Sequence, residues 1–261
     1  MKKSTSHSAA GRAPLAQTVM IALFAALSYL SLLIFRIPYP APVGQPFLHF
    51  GNAVVILASL LLGGWQGGLA GSIGMGFYDL SFGYGLASLK TVVLKFGIGL
   101  FAGLVARQGR RHPDRNPRVG LWIASTGSLL VGVTLLAGSL SGVSSFSGVA
   151  PLTYIFLLCL GAGLLSVTAL STRCAGLTNE VLFAILGATA GIAWNVVGEF
   201  AGGTLMKLFA GAEWQAAMLA SLMSLPATFI NGAFSIAAAV LLYLPVRTAL
   251  RRAHLDGILA R

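Results

Sequence analysis

Apolar runs of about the length that spans a bilayer, roughly twenty residues for a core about 30 Å thick, recur along the chain between charges, prolines and glycine clusters. Eight segments result. The first, 15–35, ends at Arg36 and is followed by RIPYPAPVGQPF, whose prolines forbid a helix there. Two shorter runs, 48–63 and 66–83, are separated by GGWQGG. A fourth, 87–106, stops at the basic loop RQGRRHPDRNPR. Two more, 119–140 and 150–171, flank SGVSSFSGV, and the last two run over 181–206 and 216–246, the final one containing Pro226. The pattern predicts an all-α, polytopic transmembrane helix bundle.

Composition agrees. Of the 261 residues 56% are hydrophobic and 9% charged, against about 25% charged in a soluble domain. The net charge of +11 would suit a nucleic-acid binder were it spread over a surface, but thirteen of the seventeen Lys and Arg sit in the N-terminal tail, the 107–118 loop, Arg173 and the C-terminal tail. Cations gathered between apolar runs mark cytoplasmic loops. They predict an even number of crossings with both termini in the cytoplasm, and they predict lipid headgroups rather than nucleic acid as partners. The first span follows a polar, basic tail and lacks a small-residue cleavage site, so it reads as retained. Cys159 and Cys174 have no ligand spacing, which predicts neither disulfide nor metal. Many of the 33 glycines fall three or four residues apart, a spacing that allows close helix packing in lipid.

Candidate chemistry comes from residues too polar for lipid. Ionisable groups inside a span normally face a partner or a cavity. Asp79 lies late in the third segment, Lys95 in mid-fourth, and Asn195 and Glu199 one turn apart in the seventh; Asn231 lies in the eighth. Counted along helices at about 1.5 Å per residue, Asp79, Lys95, Asn195 and Glu199 fall at or beyond the midplane, toward the outside. A pocket loaded from outside and roofed by the Pro-rich loop 37–47 is one reading. The other is that Lys95 pairs with Asp79 or Glu199 only to neutralise buried charge. Phe77, Tyr78, Tyr84 and Trp194 sit near these polar groups along the chain and can stack on a flat ring or anchor at the interface. His49 and Asn52 open the second segment, for capping or ligand contact. No H-E-x-x-H or Walker A motif is present, so neither an enzyme nor a cofactor is predicted, and any energy the protein uses is expected from an ion gradient or a partner.

The stretch FLHFGNAVVILASLLLGGWQGGLAGSIGMGFYDLSFGY, then LKTVVLKFGIGLFAGLVA, resembles the substrate-binding S components of energy-coupling factor (ECF) vitamin transporters, in their riboflavin-transporter-like group. Gly51 and Asn52, the Gly63–Gly68 turn, Asp79 and Lys95 carry the likeness, and NVVGEFAGG and SLPATFINGAFSIAAAVLLYLPVRTAL resemble the last two helices of that family. The resemblance covers roughly 15–108 and 181–252. It implies a cytoplasmic tail (1–14), core helices 1–4 (15–108), a basic loop (109–118), an inserted pair (119–171), core helices 5–6 (172–252) and a tail (253–261). It implies a multi-pass protein of the bacterial cytoplasmic membrane that captures a small water-soluble vitamin or precursor outside. Asn52, Phe77, Asp79, Lys95, Trp194, Asn195, Glu199 and Asn231 would be the binding residues. A transmembrane coupling subunit driven by two ATPases would be the partner, docked on small residues of the first helix, here Ala22 and Ala26. The alternative from the residues alone is an autonomous secondary transporter with a Lys95, Asp79 and Glu199 relay.

Overall fold

In lipid every backbone polar group must be satisfied within the protein, so long apolar runs become helices. The structure, a computed structural model, describes residues 7–38, 47–112, 114–141, 151–171 and 178–260. Among these residues the helices are α1 (His7–Ile34), α2 (Gly51–Leu62), α3 (Gly64–Ser81), α4 (Ala87–Arg111), α5 (Arg118–Leu140), α6 (Pro151–Leu170), α7 (Asn179–Phe209) and α8 (Trp214–Arg252), with a 3-10 turn at Asp256–Ile258. Five of them, α1 from Leu15, α4, α5, α7 and α8, are long and apolar enough to cross a bilayer. Leu27, Leu30, Val93, Leu104, Val197 and Leu241 are exposed on their outer faces, as lipid-facing positions require. The protein is a multi-pass membrane protein.

Helix α2 is the axis of the bundle. Eleven of its twelve residues are buried, enclosed by α1, α3, α4 and α8. Its C-terminal carbonyls are met from outside the helix: Ala260 N–H donates to Leu61 O at 2.7 Å and Arg110 Nη1 to Leu60 O at 3.3 Å. Gly63 then breaks the chain direction at φ 112°, a conformation that a Cβ disfavours, and α3 begins at once.

Helix α3 packs on α4, and α4 on α7, through close backbone approach. A Cβ on Gly99 would fall 2.5 Å from Gly68 Cα, and one on Gly191 2.6 Å from Ile98 O. These contacts realise the small-residue spacing seen in the sequence. Helices α5 and α6 pack chiefly on each other, with Ser125 Oγ donating to Gly161 O at 2.8 Å and Ser128 Oγ to Leu157 O at 2.7 Å. An apolar seam of Leu121, Leu164, Val181, Leu182 and Ile185 ties the pair to α7, and α6 also packs on α8, with Val240 against the seam.

The helix ends differ from the sequence expectation. Helix α1 begins at His7 rather than 15, and α4 runs on to Arg111, which shortens the basic loop. Helix α8 runs through Pro226 and Pro245, as the single run 216–246 predicts, and continues to Arg252. Two short strands, β1 (Ile37–Pro38) and β2 (Phe47–Leu48), pair antiparallel across the Pro-rich loop, Ile37 opposite Leu48 and Pro38 opposite Phe47. Residues 39–46 between them, the loop 142–150, and Arg173 and Cys174 lie outside the described residues.

Candidate functional site

Beneath the β1–β2 pair the helices leave a cavity of about 410 Å³, lined by Phe47 and His49, Asn52 of α2, Lys90 and Lys95 of α4, Asn195, Glu199, Gly203 and Lys207 of α7, and Ser224, Ala227, Thr228 and Asn231 of α8. Helical periodicity builds most of it. Asn195, Glu199, Gly203 and Lys207 stand four apart and form one polar stripe on α7. Ser224, Ala227, Thr228 and Asn231 do the same on α8 at steps of three, one and three.

Polar contacts order the lining. Lys90 Nζ donates to Glu199 Oε2 at 2.6 Å, joining α4 to α7. One turn deeper, the buried Lys95 donates to Asn195 Oδ1 at 3.0 Å. Lys207 Nζ donates to Ser221 Oγ at 3.0 Å and to Gly203 O at 3.3 Å. Asn231 fastens the hairpin to α8: its Oδ1 accepts from His49 N–H at 3.0 Å and its Nδ2 donates to Phe47 O at 2.9 Å. Arg36 closes over the Phe47 ring at 4.6 Å. The His49 imidazole, in the segment between hairpin and α2, accepts from Gly51 N–H at 3.1 Å through Nδ1, which a neutral ring allows. The Asn52 side-chain oxygen is buried with no hydrogen-bond partner.

Of the residues singled out in the sequence, Asn52, Lys95, Asn195, Glu199 and Asn231 meet at this cavity. Three do not line it. Asp79 accepts from Thr91 Oγ1 at 2.5 Å, a clasp between α3 and α4. Phe77 is 62% exposed on the outer side of α3 and tilts against Tyr29, ring centroids 5.7 Å apart. Trp194 lines a separate apolar groove between α4 and α7, packed on Gly97 and Phe101. The ion pair also departs from expectation, since Glu199 takes Lys90 and leaves Lys95 to an amide. Lys90 and Lys207, near the ends of the runs 87–106 and 181–206, carry no mid-span signal in the sequence; the four-residue stripe leading to Lys207 is the signal that locates it. Ala22 and Ala26 both lie exposed on the outer face of α1.

With this geometry in hand, a family model described as ECF-type riboflavin transporter, S component, matches residues 14–165, more than half of the chain. The match runs from α1 into α6, taking in the α5–α6 pair and stopping before α7 and α8. A Pyrococcus woesei protein described as an uncharacterized protein in gap 3'region is 38% identical over 68 residues, 26% of this chain and 44% of that protein. The chain thus matches less than half the length of that curated relative. No solved structure matches it.

Proposed function

Because the chain belongs to the S-component family of ECF-type riboflavin transporters, we propose that its cavity captures a small water-soluble vitamin or vitamin precursor from outside the cell for ATP-driven uptake. The observation that carries this reading is the convergence of Asn52, Lys95, Asn195, Glu199 and Asn231 on one cavity of about 410 Å³. Such a volume suits a single- or fused-ring compound, and polar groups otherwise have no reason to gather inside a membrane bundle. The β1–β2 pair covers the cavity, so it is the part that ligand must pass.

In this reading the hairpin faces outward, both termini face the cytoplasm, and no step of ATP hydrolysis takes place on this chain. A transmembrane coupling subunit and two ATPase subunits supply the energy. The small-residue face of α1, with Ala22 and Ala26 exposed, is where the coupling subunit docks.

The direct test is mass spectrometry of small molecules retained through purification of the full chain, followed by binding measurements with the compound found. A retained vitamin-like compound that binds at micromolar or lower Kd supports the reading. No retained compound and no binding across a vitamin panel overturns it. Uptake in vesicles that hold this chain without any ATPase, abolished by an uncoupler, would instead assign ion-coupled carriage through Lys95 and Glu199.

A further inference from the structure

The cavity carries a charge imbalance that a neutral ligand would leave unmet. Its lining holds three lysines, Lys90 and Lys95 from α4 and Lys207 from α7, against one carboxylate, Glu199. Lys90 and Glu199 neutralise one another at 2.6 Å. Among the lining residues the other elements contribute no further anion: α2 supplies Asn52, α8 supplies Ser224, Thr228 and Asn231, and the hairpin segment supplies the neutral His49. Asp79 on α3 lies outside the lining, bonded to Thr91, and reaches Lys95 only as a charge at longer range.

Two ammonium groups therefore remain. Lys95 is 5% exposed and its Nζ is matched by the Asn195 amide oxygen. Lys207 is matched by a hydroxyl and a carbonyl. Among the described residues neither makes an ion pair. Removing a cation from water is costly unless an opposite charge accompanies it, and neutral oxygens solvate it without cancelling it.

The geometry points to an organic anion as the ligand of this cavity, its carboxylate or phosphate seated against Lys95 with Lys207 as the second cation. The inference rests on the cavity being the transport site proposed above and adds the chemical class of what it takes. A carboxylate or phosphate completes the charge of the site on binding, whereas a neutral ring would enter and leave both lysines as they were. Charge-assisted hydrogen bonds from ammonium to such a group are about twice as strong as neutral ones.

Matched pairs of probes test this on the full chain in lipid nanodiscs: nicotinate against nicotinamide, orotate against uracil, and riboflavin 5′-phosphate against riboflavin. In any pair that binds, the anionic member is expected to bind at least about tenfold more tightly than the neutral one. Lys95→Met should bring that ratio close to one and Lys95→Arg should preserve the preference. If Lys95→Met does not fold, Lys207→Met, at a less buried position, should narrow the ratio in the same sense. A neutral member that binds as tightly as its anionic partner, or a neutral compound retained through purification, overturns the charge inference and leaves the transport reading standing. Absence of any binding together with absence of any retained compound overturns both.

Discussion

At the scale of residues, Asn231 bears on cover and cavity together, because one side-chain amide holds the hairpin at His49 and at Phe47 while lining the space below. Two hydrogen bonds at about 0.5–1.5 kcal/mol each are lost in Asn231→Ala. We expect unfolding to become easier by about 1–3 kcal/mol and ligand retention to fall by roughly tenfold, read by thermal unfolding and by binding in parallel. A variant with unchanged affinity would free the hairpin from any role in holding ligand. The polar residues themselves were legible because lipid tolerates so few. Which way they face was not: the position of Asp79, late in its span, looks as promising as the mid-span position of Lys95, and only the packing of α3 on α4 sends it to Thr91.

At the scale of elements, glycine separates contact from conformation. Gly99 stands where a Cβ would strike the α3 backbone at Gly68. Gly99→Val should therefore push α3 from α4 and destabilise by about 1–3 kcal/mol or more, measured as loss of monodisperse protein on heating. Gly83, with φ 75° and nothing within 4 Å of its missing Cβ, should pay only the conformational term, about 1–2 kcal/mol for Gly83→Ala. Equal losses at both sites would show that close backbone approach is not what Gly99 supplies. The helices were legible because apolar length is a strong signal in a membrane. The β1–β2 pair was not, since two residues on each side of a Pro-rich loop carry no period to read. Pro226 and Pro245 lie inside the single apolar run 216–246, and α8 does run on through both, since neighbouring helices re-satisfy the freed backbone groups.

At the scale of the whole molecule, capture and docking occupy different surfaces. The cavity lies among α2, α4, α7 and α8, while Ala22 and Ala26 face outward from α1. Leucine at both alanines should abolish copurification with the coupling subunit and leave ligand affinity within about twofold, since surface changes away from a site seldom exceed ±0.5 kcal/mol. Loss of binding along with assembly would mean that the two surfaces are not separable. The succession of apolar helices along the chain was readable in the sequence; the packing of the 119–171 pair was not, because apolar length does not say what a helix packs against. In the structure that pair meets the remainder through the seam of Leu121, Leu164 and Leu182 against α7 and through α6 against α8, a smaller contact than the two helices make with each other. A joint that narrow lets the pair open ahead of the remainder. Amide exchange in the α5–α6 pair should run ahead of exchange in α2, whose last carbonyls are held by Ala260 and Arg110, and the gap between the two rates would measure how loosely the pair is carried.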